Sequence, residues 1–176
     1  MQLLKNIIMI INYKYFFAKN ISTIFSLGYL SKMPGTLGSI VGLIIGVILL
    51  KNFSFEVFIY IFLILLLISF FAVNEFQKKN GYIDKSEIII DEFIGQLIPL
   101  IFININFVEI ILSFILFRFF DIFKIFPANF IDKKFSNFFG VMFDDIIAGI
   151  QSSIVINRLL IWTFTNNSDN SLSIFI

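Results

Sequence analysis

The chain has neither cysteine nor histidine in its 176 residues. Without cysteine there is no disulfide, thiolate nucleophile or zinc–thiolate centre. Without histidine there is no serine–histidine triad, phosphohistidine or imidazole-ligated metal. Charge is also scarce: Asp, Glu, Lys and Arg make up 14% of the residues and apolar types 59%. Ordinary soluble domains carry about 25% and 45–50%. A soluble fold of this size would leave large apolar patches in water, so a bilayer is the simpler solvent. The net charge is +1, and no basic run is long enough to track phosphates, which excludes nucleic acid as the principal partner. Catalysis is left with carboxylates, Lys, Arg, hydroxyl groups and a hard metal.

What the chain has in abundance is apolar runs, set apart by basic connectors. The runs cover residues 37–50, 53–73, 93–117 and 146–164, with a break expected in the third at "NINF", residues 104–107. Residues 57–73 carry no charge and reach the lower limit for a transmembrane helix. The run at 37–50 would extend only about 21 Å at roughly 1.5 Å per residue, against a core of about 30 Å. Either the helices begin earlier, inside the polar motifs, or some are re-entrant. Lysines gather before the first run, between the second and third, and between the third and fourth. Paired as hairpins, the runs put all three connectors on the cytoplasmic side. The excess of Phe, Ile, Asn and Lys reflects a biased genome, so single Phe or Ile choices say little. Glu109 and Arg158 are lone charges in apolar runs, read as pairing or snorkelling groups, and Trp162 as an interfacial anchor.

Four polar clusters could carry chemistry. In "KMPGTLGSIVGLIIG", residues 32–46, Pro34-Gly35 is a turn and Thr36 or Ser39 could cap the following helix. The free N–H groups of that helix start suit an anion. Gly38, Gly42 and Gly46 recur every four residues, the small-residue face of close helix packing. In "GYIDKSEIIIDEFIGQ", residues 81–96, Asp84, Glu87 and Asp91 share one face of a helix, with Glu92 beside it. Lys85 could neutralise one of them, as on a solvated face. Asp91 and Glu92, however, run straight into an apolar stretch. Paired carboxylates there raise one another's proton affinity unless a cation lies between them, which favours a metal site.

The third cluster, "FRFFDIFKIFP", residues 117–127, spaces Arg118, Asp121 and Lys124 three apart. It reads either as a helical salt-bridge ladder or as an Arg and a Lys aimed at phosphate with Asp121 at its metal. Charge pattern alone leaves both standing. The fourth, "FGVMFDDIIAGI", residues 139–150, sets Asp144 and Asp145 at the mouth of an apolar run. One Asp would suffice as an N-cap; two at a membrane boundary point to function.

In this order and at these separations, "MPGTLGS", "DEFIGQ", "FRFFDIFKIFP" and "GVMFDDIIAGI" resemble the phosphatidylglycerophosphatase A family. The resemblance covers about residues 26–161. It divides the chain into an amphipathic lead-in at 1–25, a family-like domain at 26–164 and a polar tail at 165–176. It implies an all-α, multi-helix, membrane-associated bundle with a central helix surrounded by others. It also implies a magnesium-dependent phosphatase that converts phosphatidylglycerophosphate to phosphatidylglycerol. The setting implied is a multi-pass protein of the bacterial cytoplasmic (inner) membrane, with the site facing the cytoplasm and no protein partner. The family's acidic positions fall on Asp84, Asp91, Glu92, Asp121, Asp144 and Asp145, its basic ones on Arg118 and Lys124. Its Gly-rich turn falls on Pro34, Gly35, Thr36, Gly38 and Ser39. Asp84, Asp91, Glu92, Asp144 and Asp145 are thus the expected Mg2+ ligands, and Arg118, Lys124, Gly35, Thr36 and Ser39 the expected phosphate binders. Asp91, Glu92, Asp121, Asp144 and Asp145 are the expected catalytic carboxylates. The attacker is expected to be water, an aspartyl nucleophile being the alternative.

The competing reading from another class is a small transporter or channel subunit, since paired membrane carboxylates also build ion pathways. It calls for charges at mid-membrane, whereas these stand at the ends of apolar runs. A CDP-alcohol phosphotransferase would need an Asp-Gly-x-x-Ala-Arg signature, which is absent.

Overall fold

The computed structural model describes residues 2–80, 85–135 and 137–172, and the described residues contain no strand. Among the described residues seven α-helices follow in order: α1 (Gln2–Ser22), α2 (Pro34–Asn52), α3 (Phe55–Asn80), α4 (Ile90–Leu100), α5 (Phe107–Phe123), α6 (Ala128–Lys134) and α7 (Phe138–Leu172). A single 3-10 turn, Leu27–Tyr29, lies between α1 and α2.

The short apolar runs become long helices because the helices begin inside the polar motifs. α2 starts at Pro34, whose fixed φ suits the first helical position, and its 19 residues extend about 28 Å. α7 starts at Phe138, ahead of the paired aspartates. Thr36 and Ser39 therefore lie inside α2 and do not cap it; the N-cap is Met33, with no side-chain bond. Ser39 Oγ donates instead to the Gly35 carbonyl at 2.9 Å. Likewise Asp144 and Asp145 sit in the second turn of α7, beyond any capping position.

The break in the third run is real and has a specific closure. Asn106 caps α5, its Oδ1 accepting from the Glu109 N–H at 2.9 Å. The Glu109 carboxylate in return accepts from Asn106 Nδ2 at 2.6 Å and from the Asn104 N–H at 2.7 Å. Glu109 thus ties the 104–106 break to the first turn of α5, a role its isolation in the sequence did not suggest.

α4 is the central helix: α1, α2, α3, α5 and α7 all pack on it, and ten of its eleven residues are buried. Two neighbours approach it at backbone distance. A Cβ at Gly42 would stand 2.6 Å from the Phe93 carbonyl oxygen, and one at Gly149 would stand 2.6 Å from that of Gly95. Gly38 faces Ile89 and Gly46 faces Leu97 and Leu100, so the glycine face of α2 is a packing face, and α2 runs parallel to α4. Gly95 faces Asp145 while Gly149 faces Gly95 and Ile98, so α7 runs the same way. α3 returns antiparallel, with Phe70 in edge-on and tilted contact with Phe138, Phe139 and Phe143 and Phe62 near Ile150 and Ile154.

α2, α3 and residues 138–162 of α7 are long and apolar enough to cross a membrane. The outward faces agree: Ile40, Ile44 and Ile48 of α2 and Leu63, Ile64, Leu67 and Phe71 of α3 are exposed. Surface of that kind is stable against lipid and not against water. The chain is a membrane protein. Gly42→Ala should lower stability by about 1–3 kcal/mol, because the contact it meets is backbone and cannot step aside. Ile44→Ala, on the outward face, should stay within about 0.5 kcal/mol. Thermal melts of both proteins in the same detergent compare them directly.

Candidate active site

Four helices bring the polar motifs together at one end of the bundle. The first turn of α2 supplies Gly35 and Thr36, and the start of α4 supplies Asp91 and Glu92. The C-terminal turns of α5 bring Arg118 and Asp121, and the second turn of α7 brings Asp144 and Asp145. With Lys124 just past α5, they line a cavity of about 490 Å³.

At its floor, Asp91, Glu92 and Asp145 each offer a carboxylate oxygen, and these atoms lie within 4.8 Å of one another. Asp91 and Asp145 are buried, and Glu92 Oε2 is buried with no hydrogen-bond partner. Glu92 lies outside the three helices of spanning length. Burial, and after it the neighbouring Asp91 carboxylate, pushes its carboxyl well above the usual carboxylate range. A divalent cation among the three would reverse that logic. The donor set is all oxygen, as hard cations require, and one of its residues, Glu92, carries an orphaned buried oxygen. These residues fit a metal ion.

Four of the remaining charges form two bonded pairs, Arg118 with Asp121 and Lys124 with Asp144. Arg118 Nη1 is bonded to Asp121 and also to Ser39 Oγ at 3.2 Å. Ser39 is fully buried, so it steadies Arg118 from behind. Lys124 leaves α5 in the left-handed region, φ 43° and ψ 54°, a conformation uncommon for a residue with a side chain. Its Nζ reaches Asp144 Oδ2 at 2.7 Å. The salt-bridge ladder expected along α5 is therefore cut after Asp121, and Lys124 joins α5 to α7. Asp144 stands outside the three-carboxylate group. Asp144 Oδ1 accepts the Asp145 N–H, and Asp91 Oδ1 accepts the Glu92 N–H, each at 3.1 Å; both fix the turns that present the cluster.

Gly35 has a steric reason to be glycine: a Cβ there would stand 2.1 Å from Glu92 Oε1. The first turn of α2 thus rests on the carboxylate cluster, and helix geometry leaves the Gly35 and Thr36 N–H groups without an intrahelical acceptor. Among the described residues, five carboxylates and three cations, Lys85, Arg118 and Lys124, line the cavity. Fully ionised, the lining carries two negative charges in excess, the amount one divalent cation neutralises.

The family model for phosphatidylglycerophosphatase A matches residues 20–160. The chain belongs to the phosphatidylglycerophosphatase A family. A phosphatidylglycerophosphatase A of Haemophilus influenzae is 37% identical over 139 residues, 78% of this chain and 85% of the relative. A candidate phosphatidylinositol-3-phosphatase of Bacteroides thetaiotaomicron is 34% identical over 146 residues, 77% and 89% of the two chains. A phosphatidylglycerophosphatase A of Escherichia coli is 28% identical over 122 residues, 69% and 70%. No solved structure matches the chain significantly.

Within this phosphatidylglycerophosphatase A fold, Asp84 lies outside the described residues. Of the face expected of Asp84, Glu87 and Asp91, the described part, Glu87 and Asp91, does not share a helix. Ile88 N–H closes a turn onto the Lys85 carbonyl, Ile89 N–H bonds to the Ser22 carbonyl, and α4 begins only at Ile90. The cavity also includes Met33, Ser86 and Ile122, which the motifs did not single out. Ile122 was the most accessible to periodicity, being four residues after Arg118 on the same helix face.

Asp144 has a side chain only 9% exposed, so removing its partner leaves a poorly solvated charge. Lys124→Ala should destabilise the protein by a few kcal/mol, below the roughly 3–5 kcal/mol of a fully buried pair, because the Lys124 side chain is 31% exposed. Adding Asp144→Asn should restore part of the loss, and detergent melts of the single and double variants would read the cycle.

Proposed function

We propose that this chain hydrolyses the terminal phosphomonoester of phosphatidylglycerophosphate, releasing phosphatidylglycerol and phosphate, with Mg2+ held by Asp91, Glu92 and Asp145. The observation that carries the reading is the convergence of those three carboxylates, from α4 and α7, beside Arg118 and Lys124 in one cavity. The family membership supplies the substrate class.

A phosphomonoester carries about −1.5 to −2 charge near pH 7, which a bare carboxylate cluster would repel. When bound, the metal ion supplies a Lewis-acid centre for the phosphate oxygens and for the attacking water. The chain's own residues do the rest. The Gly35 and Thr36 N–H groups and the two cations receive the phosphate, and Arg118 and Lys124 stabilise the charge that spreads over the transferring phosphoryl group. Asp121 and Ser39 hold the Arg118 guanidinium in place, and Asp144 holds Lys124. Asp84 is proposed as a further ligand from its motif position. Water is the attacker in this reading, with the site facing the cytoplasm of a multi-pass inner-membrane protein.

The transport reading loses support from the same geometry, since the described carboxylates of the cavity gather at one end of the bundle. The Bacteroides relative's name places the sharper question at the headgroup. Phosphate release from phosphatidylglycerophosphate should be Mg2+-dependent, stop on chelation and exceed release from phosphatidylinositol 3-phosphate. Asp145→Asn should abolish it while keeping a native melt. Near-normal turnover in that variant would contradict the assignment.

A further inference from the structure

The proposed substrate carries two phosphorus groups: the terminal phosphomonoester, and a phosphodiester that joins the headgroup glycerol to the diacylglycerol. The reaction consumes only the first. The cavity, about 490 Å³, lies within the roughly 300–1,000 Å³ that holds whole drug-sized ligands, so it has room well beyond one phosphate.

Of the three cations in its lining, Arg118 and Lys124 are bonded to Asp121 and Asp144. Lys85 is placed differently. It lies on the connector that precedes α4, beside the exposed Ser86, and its Nζ rests 5.9 Å from the ring centroid of the buried Phe76. Among the described residues it takes part in no salt bridge. A ring face steadies an ammonium group without occupying its N–H donors in carboxylate bonds. Among the described residues the cavity thus holds two cations bonded to carboxylates and a third, Lys85, bonded to none.

We propose that Lys85, with the Ser86 hydroxyl beside it, binds the phosphodiester of the lipid and so seats the substrate while its terminal phosphate lies at Arg118 and Lys124. This inference rests on the proposed reaction above. It has a kinetic signature, because the phosphodiester keeps its charge throughout the reaction. A contact made equally in ground and transition states lowers KM and leaves kcat alone. The product retains the phosphodiester, so phosphatidylglycerol should compete for the same contact, whereas inorganic phosphate should not feel it.

The test is Lys85→Gln, purified in detergent and assayed on phosphatidylglycerophosphate in mixed micelles, with Lys85→Met as the second variant should the first misfold. KM should rise about tenfold, the loss of one charge-assisted contact, with kcat changed by no more than about twofold. The inhibition constant for phosphatidylglycerol should rise in parallel and that for inorganic phosphate should stay fixed. Lys85→Arg should recover KM. A parallel loss of phosphate inhibition, a fall in kcat at constant KM, or no change in either inhibition constant would overturn the assignment. Wild-type protein that releases nothing from this lipid would instead defeat the proposed reaction itself, so the two failures are distinct.

Discussion

The structure depends on how closely three backbones can approach around α4. Glu92 and Asp145 belong to helices far apart in the chain, and their carboxylates share one small space because α4 and α7 touch through Gly95 and Gly149. On the other side, Gly38 and Gly42 let α2 lie against the carbonyls of Ile89 and Phe93. That sets the first turn of α2 over Glu92. In a bilayer, where apolar side chains gain little from leaving lipid for one another, such contacts carry the association of helices. The packing face and the chemical site are therefore one construction: the same α2 motif contributes Gly35 to the cavity and Gly42 to the interface.

Much of this was legible in the sequence, for reasons that can be stated. The break at Asn104–Asn106 showed because polar residues interrupt an apolar run. The glycine face of α2 showed because its period of four matches a helix surface. The paired carboxylates showed because charges beside hydrocarbon are costly. Other features were hidden because they depend on contacts between distant segments. Nothing local to Ser39 says that it braces Arg118 from α5, or that Lys124 will turn out of its helix to meet Asp144. The spacing of Asp84, Glu87 and Asp91 suggested a helix, but Ile89 instead donates its N–H to the Ser22 carbonyl, a bond that no pattern within residues 81–96 could announce.

The placement of polarity follows from the same architecture. α2, α4 and α7 run away from the cavity and α3 returns towards it, so every motif lies at one end while the outer faces of α2 and α3 stay apolar. A lipid headgroup has to be reached from the membrane surface while its acyl chains remain in hydrocarbon. A site at the end of the spanning helices meets that geometry, and one at their middle would not.

The direction of the helices has an electrical consequence as well. Aligned peptide dipoles leave partial positive charge at a helix N-terminus and partial negative charge at its C-terminus, worth about 0.3–1 kcal/mol to a nearby charge at an exposed site. Asp91 and Glu92 occupy the first turn of α4, where that field favours carboxylates. Asp121 occupies the last turn of α5, where it opposes them, and Asp121 is the carboxylate bonded to an arginine of its own helix. Lys124, at the same C-terminus, has the field in its favour. The end of α5 thus presents itself to an incoming phosphate as the cationic wall of the cavity, with the peptide backbone as well as the side chains holding its positive charges in place.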